Sequence, residues 1–105
     1  MKTVTILVPK GAILGSIEGP RQLLQGVNSY LAGMGKPPLF NIELVGLTRE
    51  TPLVKGMYTI RTDRVIKDVS RTDLIIIPAI DGDLQNGLEE NKELIPWIAQ
   101  QYKLG

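Results

Sequence analysis

The sequence predicts a single α/β domain built on a mainly parallel sheet, and three observations support this prediction. Leu74-Ile75-Ile76-Ile77 is a run of large aliphatic residues that ends at Pro78, which is typical of a strand buried on both faces. A strand, a helix and a second strand follow one another over residues 3–47, as in a right-handed βαβ unit. The length of 105 residues suits one domain with one core. We therefore expect any ligand at the carboxyl ends of the strands.

The βαβ unit is defined by hydrophobic periodicity. The first strand covers Thr3 to Val8 and stops at Pro9, which lacks a donor for the sheet. The helix is predicted to begin near Ser16 to Pro20, with Pro20 in its first turn, and to continue to about Met34. One apolar stripe recurs along it at spacings of three and four: Leu23, Leu24, Val27, Tyr30, Leu31 and Met34. Alternating apolar residues predict the second strand over residues 40–47.

The remaining segments are less regular. Met57–Ile60 and Arg64–Ile66 predict a small hairpin around Thr62 and Asp63 at a sheet edge. A second helical region covers roughly residues 87–103 and contains Pro96. Two forms fit this region: a short turn followed by a helix that begins at residues 94–96, or one kinked helix. Trp97 is expected in the core, because its apolar neighbours share its helical face.

Composition limits the chemistry that these residues can perform. The chain has no cysteine and no histidine, so it can form neither a disulfide framework, a zinc-finger site nor a nucleophile-histidine pair by itself. The net charge is only +1, which argues against a dedicated nucleic-acid surface in these residues. There is no apolar stretch of membrane-spanning length and no secretory signal, so we expect a cytoplasmic protein.

Two motifs could hold a ligand but have simpler explanations. Glycines 11, 15 and 19 lie between a strand and a helix, yet their spacing fits no nucleotide-binding fingerprint, and a turn explains them better. Asp81 and Asp83 flank Gly82 at a strand end and could form a metal or acid-base pair. We favour a turn there, because Asp and Gly stabilise turns through local hydrogen bonds and positive φ.

Glu18 is the carboxylate with the most functional interest. It lies just before Gly19-Pro20, near the mouth of the first strand. A buried acid at this position could orient a nucleophile or have a raised pKa. The alternative, which we favour, is an exposed charge that caps the helix.

Four segments carry a resemblance to a known family. The sequence resembles the amino-terminal half of the ThiJ/PfpI family, within the class I glutamine amidotransferase-like superfamily, and is most similar to the amino-terminal domain of AraC-type transcription regulators. The residues that carry the likeness are Val4-Thr5-Ile6-Leu7-Val8-Pro9, Ser16 to Leu24, Leu74 to Ala79, and Leu94 to Ile98.

The resemblance implies a flavodoxin-like three-layer sandwich, frequent dimers, and a nucleophile elbow that would lie beyond Gly105. Residues 1–105 would then be the amino-terminal part of a single, apparently truncated domain. The sequence departs from the family pattern at two places. Ser16 stands where the family acid generally lies, with Glu18 displaced by two positions, and Ala79-Ile80 replaces a common Gly-Gly pair.

Together these observations predict a ligand-sensing or dimerisation domain of an AraC-type regulator, non-catalytic as it stands. The predicted pocket lies where residues 9–18 meet residues 79–83, and its ligand-binding residues are Ser16, Glu18, Ala79, Ile80 and Asp81. Two alternatives remain: a fragment of a ThiJ/PfpI-type amidase, protease or glyoxalase-like hydrolase, and an autonomous flavodoxin-like module.

The predicted partners follow from the open sheet and the regulator resemblance. They are a small-molecule effector, and a second copy or the rest of the domain over an exposed sheet edge. DNA would be contacted only through a region outside these residues. We expect no cofactor and no metal.

Overall fold

The computed structural model describes residues 1–105. In chain order, the elements are β1 (Lys2–Val8), α1 (Leu14–Gly33), β2 (Phe40–Gly46), β3 (Glu50–Leu53), β4 (Tyr58–Arg61), β5 (Arg64–Val65), a 3-10 turn (Ile66–Asp68), β6 (Leu74–Ile76), α2 (Leu84–Glu90) and α3 (Leu94–Leu104). None of the helices combines the length and the apolar character needed to cross a bilayer.

Four parallel strands form the main sheet, in the spatial order β5-β2-β1-β6. β1 pairs with β2 over its whole length and with β6 over Val4–Ile6. The first βαβ unit is therefore parallel, as expected for two strands joined by a crossover helix. The predicted mainly parallel α/β fold is confirmed.

The core lies on both faces of β1, because successive side chains of a strand point to opposite faces. Val4, Ile6 and Val8 pack with Ile17 of α1 and Leu53 of the β3–β4 hairpin. On the other face, a second cluster contains Leu7, Val45, Val69, Leu94 and Trp97. The predicted burial of Trp97 is confirmed, and its Nε1 donates to the Val69 carbonyl at 3.2 Å. Helices cover both faces, which gives three layers.

The strand formed by the aliphatic run, β6, differs from the prediction. Leu74 to Ile77 was expected to be buried on both faces, but Leu74 is 50% exposed and Ile77 is 58% exposed. β6 has a strand neighbour on one side only, whereas β1 occupies the middle of the sheet. A run of aliphatic residues indicates a strand, but it does not show how many neighbours that strand has.

The predicted hairpin is wrong in its pairing. Tyr58–Arg61 pairs with Glu50–Leu53, not with residues 64–66, and Arg64–Val65 instead extends the parallel sheet beside β2. Asp63 is the physical reason. Its carboxylate accepts a hydrogen bond from Leu44 N at 2.7 Å, and its own amide donates to the Leu44 carbonyl at 2.8 Å. Asp63 thus fastens the chain to β2 where a hairpin turn was expected.

The helices also refine the predictions. α1 begins at Leu14, so Pro20 lies in its interior and not in its first turn. Of the two forms considered for the second helical region, the structure has two separate helices, with Pro96 in the first turn of α3, where a missing amide costs little. The apolar stripe of α1 is only partly packed, since Leu24 contacts the core while Leu23, Val27, Tyr30 and Met34 are exposed.

Candidate ligand site

Two loops meet at the carboxyl ends of β1 and β6, as expected for parallel neighbouring strands. Ile13 N donates to the Ala79 carbonyl at 2.9 Å, and Asp81 N donates to the Gly11 carbonyl at 2.8 Å. Between these bonds, Ala12 and Ile80 form an antiparallel bridge. The two segments named from the sequence are therefore joined by backbone bonds, which fixes the floor of a cleft.

The β3–β4 hairpin contributes another wall of this cleft. The cleft has a volume of about 360 Å³ and is lined by residues from three separate parts of the chain: Gly11, Ala12, Ile13, Leu14, Val54, Lys55, Asp81 and Gly82. Such a position, outside the carboxyl ends of parallel strands, is where open α/β sheets bind ligands. Sequence reasoning missed the hairpin residues. Gly56 was the only local sign of a turn there.

The hairpin turn is strained. Val54 and Lys55 both have φ of 52°, followed by Gly56 at 85°. A β-branched residue rarely adopts this left-handed conformation, and such strain costs about 1–3 kcal/mol per residue. Hydrogen bonds from Gly56 N to the Leu53 carbonyl and from Met57 N to the Val54 carbonyl hold the turn. The turn thereby places Lys55 at the rim of the cleft.

The cleft carries two opposite charges that do not pair with each other. Lys55 and Asp81 both line it, yet the ion pairs of the structure are Arg21–Glu18, Arg64–Glu43 and Lys92–Glu89. Lys55 and Asp81 are therefore separated by more than ion-pair distance, and both are exposed. The cleft offers one ammonium group and one carboxylate to a ligand.

The five predicted ligand-binding residues occupy different positions. Asp81 lines the cleft, whereas Ile80 lines a separate, smaller apolar cavity of about 100 Å³. Ala79 contributes its carbonyl to the bond with Ile13, and Ser16 lies in the first turn of α1 without lining the cleft. Ligand binding by these residues stays a prediction.

Glu18 has a surface role that differs from the functional hypothesis. Arg21 Nη2 donates to its Oε2 at 2.9 Å, and Gln22 Nε2 donates to the same oxygen at 3.3 Å. The hydrogen bond from the Arg21 guanidinium, helped by Gln22 and opposed by partial burial, lowers the pKa of Glu18. The lowered pKa argues against the less favoured hypothesis, in which Glu18 is a buried acid with a raised pKa. Glu18 is also not a helix cap, because Ile13 occupies that position. The spacing of three residues between Glu18 and Arg21 on a helix could have predicted this ion pair from the sequence.

The Asp81 to Asp83 segment bends at Gly82. Gly82 has φ of 88°, and Asp83 directly precedes α2. The structure contains no group of three or more His, Cys, Asp or Glu side chains that could hold a metal ion. The positive φ of Gly82 agrees with the local backbone bend that we favour, and a metal or acid-base role of Asp81 and Asp83 stays untested.

Comparisons with known proteins find solved structures with a similar fold. No protein-family model and no curated protein matches the sequence. A solved structure of a provisionally assigned transcriptional regulator from Vibrio parahaemolyticus superposes with a TM-score of 0.77 at 20% identity, over 99% of this chain and 52% of that one. A cysteine-to-alanine mutant of a DJ-1 superfamily protein from Salmonella typhimurium superposes with a TM-score of 0.58 at 16% identity, over 100% of this chain and 52% of that one.

The likeness covers almost the whole of this chain but only part of each solved protein. The chain spans about half the length of both solved proteins. At such identities the likeness establishes the fold, and it agrees with the ThiJ/PfpI resemblance of the sequence. The chain has the mainly parallel α/β fold that is shared by this regulator and this DJ-1 superfamily protein.

Proposed function

We propose that the chain is a ligand-sensing and dimerisation domain of an AraC-type transcription regulator located in the cytoplasm. The cleft at the strand ends is the observation that carries this proposal, because its walls come from loops after β1 and β6 and from a strained hairpin. A ligand that contacts both loops and the hairpin would stabilise the conformation in which these three segments lie together. The structural likeness to a provisionally assigned regulator supports this choice.

The charges of the cleft define a class of effector. Lys55 suits a carboxylate or another small anion, and Asp81 suits an ammonium group or a hydrogen-bond donor. We propose a small zwitterion, such as an amino acid, that reaches both groups. DNA binding would belong to residues outside this chain, since the net charge here is only +1.

A ligand screen by thermal unfolding tests this proposal. Each amino acid is compared with the amine that lacks its carboxylate and with the acid that lacks its amino group. We expect a saturable rise in Tm for one or a few zwitterions and a smaller rise for their single-charge analogues. Lys55→Met should weaken the response about tenfold or more, because one charge-assisted bond is lost.

Lys36→Met is the matched control, since it removes the same charge from an exposed loop outside the cleft. The proposal fails if no member of the panel raises Tm, or if the two variants weaken the response equally.

We also propose a partner for the open edge of β6, either further residues of the protein or a second copy. The edge borders an apolar groove of about 360 Å³ whose lining includes Leu74, Ile77, Ile98 and Tyr102. Unpaired, apolar strand edges tend to recruit another strand. Ile77→Lys should reduce any self-association that uses this edge in sedimentation velocity. This proposal would be contradicted if the unsubstituted protein is a monomer with a sharp thermal unfolding transition.

A further inference from the structure

Asn91 lies at the junction of α2 and α3, and it is buried although its side chain is polar. The residue is only 4% exposed. Its backbone amide donates to the Gly87 carbonyl at 3.1 Å at the end of α2, and its carbonyl accepts from Leu94 N at 2.9 Å at the start of α3. A buried polar side chain costs free energy unless its atoms find hydrogen-bond partners. The partners of this side chain therefore show which parts of the fold it holds together.

The side chain of Asn91 bonds to the loop after β1. Its Oδ1 accepts from Lys10 N at 2.7 Å, and its Nδ2 donates to the Lys10 carbonyl at 3.0 Å. The same Nδ2 donates to the Gly87 carbonyl at 2.9 Å. The acceptor oxygen and both N–H groups of the side-chain amide are thus in use. A residue 81 positions away in the sequence therefore fixes both backbone polar groups of Lys10.

Lys10 immediately precedes the floor of the cleft. The next residue, Gly11, lines the cleft, and its carbonyl accepts the bond from Asp81 N at 2.8 Å. Gly11 has φ of 80°, which glycine adopts readily, and it has no side chain that could anchor it. The position of its carbonyl therefore depends on its neighbours in the chain. Asn91 does not line the cleft, but it holds the residue beside the one that does.

An apolar contact joins the same two regions. A Cβ at Gly87 would lie 3.2 Å from Ile80 Cγ2, and a Cβ at Gly11 would lie 3.4 Å from the same atom. The Ile80 side chain is thus close to both α2 and the cleft floor, and its backbone forms the bridge with Ala12. Because protein interiors are closely packed, they transmit displacements. A movement of α2 would reach the cleft floor through Ile80 as well as through Asn91.

α2 has few other attachments to the sheet. Gly87 is the only buried residue among its seven, and Leu84 and Leu88 are 71% and 48% exposed. Neither hydrophobic cluster of the core includes a residue of α2. A helix with so few buried apolar contacts opens at low cost in free energy. The hydrogen bonds of Asn91 and the contact with Ile80 are therefore prominent among the interactions that hold α2 in place.

We propose that Asn91 is a positioning residue of the cleft, which fixes the backbone of Lys10 and Gly11 and ties the cleft floor to α2. This inference rests on the proposed function, because it takes the cleft as the ligand site. The same hydrogen bonds serve the loop and the helix. A ligand that stiffens the cleft floor should therefore also stabilise α2, and loss of these bonds should loosen both.

Hydrogen exchange in a leucine variant tests this role. Asn91→Leu nearly keeps the size of the side chain and removes its three hydrogen bonds. The amides of Ile13 and Asp81 bond across the two loops at the cleft floor. We expect both to exchange at least about tenfold faster in the variant, because the Lys10 backbone loses its partners. Exchange at Ile6, in the central strand, corrects for any change in global stability.

Gln101→Leu is the matched control. Gln101 is a similarly buried amide, 5% exposed, but its side chain bonds to Thr72 N and to the Ser70 carbonyl, not to a loop of the cleft. A purely structural loss of one buried amide would affect the two variants alike. We expect Gln101→Leu to leave the corrected exchange at Ile13 and Asp81 unchanged. Equal acceleration in the two variants, or none in Asn91→Leu, would overturn the inference.

The unmodified protein supplies a measurement that does not depend on the folding of a variant. We expect the amides of Lys10, Asp81 and Asn91 to share one opening, with protection factors that differ by less than about tenfold. Gly56 N, in the hairpin at another wall of the cleft, should open independently. A larger difference among the first three amides overturns the inference. A single value that includes Gly56 overturns it too, because no separate unit then opens.

The outcomes separate this inference from the proposed function. If Asn91→Leu leaves exchange at the cleft floor unchanged, Asn91 has no positioning role, while a zwitterion response that depends on Lys55 still supports ligand sensing. If no amino acid raises Tm, ligand sensing fails. Faster exchange at the cleft floor in Asn91→Leu would then still support the link between that floor and α2.

Discussion

β1 and β6 have similar compositions and opposite environments. Both are rich in large aliphatic residues, yet every residue from Val4 to Val8 is buried, whereas Leu74 of β6 and Ile77 directly after it are at least half exposed. β1 has a strand on each side and a hydrophobic cluster on each face, while β6 has one neighbouring strand. The comparison teaches that aliphatic composition marks a strand, and that position in the sheet decides what the strand contributes to stability.

Polar groups reinforce the same difference. Thr5 in β1 is as buried as its aliphatic neighbours, because its hydroxyl donates to Thr72 Oγ1 at 2.9 Å, just before β6. Thr72 is held in turn by Gln101, whose Oε1 accepts from Thr72 N at 3.1 Å. The segment just before β6 is thus tightly bonded, although Leu74 and Ile77 are at least half exposed.

The largest expected difference comes from truncating one isoleucine of β1 and the isoleucine that directly follows β6. Ile6→Ala should lower the free energy of unfolding by about 2–5 kcal/mol, because it leaves a cavity in the core. Ile77→Ala should cost less than about 1 kcal/mol, since its side chain is mostly in water. Urea denaturation followed by circular dichroism measures both. Equal losses would break the comparison between the strands.

Crowding beside the central strands provides the next test. A Cβ at Gly46, which pairs with Val8, would lie 2.9 Å from Thr62 Cγ2 and 3.1 Å from the Thr48 carbonyl oxygen. Gly46→Ala should therefore destabilise the protein by about 1–3 kcal/mol in the same denaturation experiment. Gly15→Ala is the control, because its Cβ would meet no atom within 4 Å. If Gly46→Ala leaves the free energy of unfolding unchanged, this part of the core is loosely packed.

The hydrogen bonds of Thr72, just before β6, can be tested separately from the exposed aliphatic residues. Gln101→Leu keeps the volume of a buried side chain but leaves Thr72 N without its acceptor, which should cost about 1–3 kcal/mol. Hydrogen exchange should show faster exchange at Thr72 and Asp73. Gln100→Leu, at the exposed neighbouring position, should change neither quantity. Unchanged exchange in Gln101→Leu would show that the bond does not stabilise this segment.

The smallest expected effect concerns the surface of α1. The folded-state pKa of Glu18 is lowered, first by its hydrogen bond from Arg21, so its stabilisation is present above the unfolded pKa. That stabilisation is lost as pH falls through the folded pKa. Glu18→Gln should therefore cost less than about 1 kcal/mol at pH 7, since the pair is largely solvated, and nothing at strongly acid pH. Urea titrations at both pH values test this, and a cost that persists in acid would contradict it.

Local patterns were sufficient for some parts of the fold. The first βαβ unit followed from periodicities of two and 3.6 residues, and the burial of Trp97 followed from its helical neighbours. The meeting of the loops after β1 and β6 was also predictable, because parallel neighbours end at the same edge of the sheet. These features depend on residues close in sequence or on a general rule of sheet geometry.

Other parts required contacts between distant residues. The hairpin pairing depended on Asp63 bonding to Leu44, and the presence of Lys55 at the cleft depended on where that hairpin packs. The sequence by itself determined which segments are extended or helical and that the sheet is mainly parallel. The tertiary structure alone decided that β1 is central and β6 lies at an edge, because strand order depends on pairing between segments about 70 residues apart, which local periodicity does not encode.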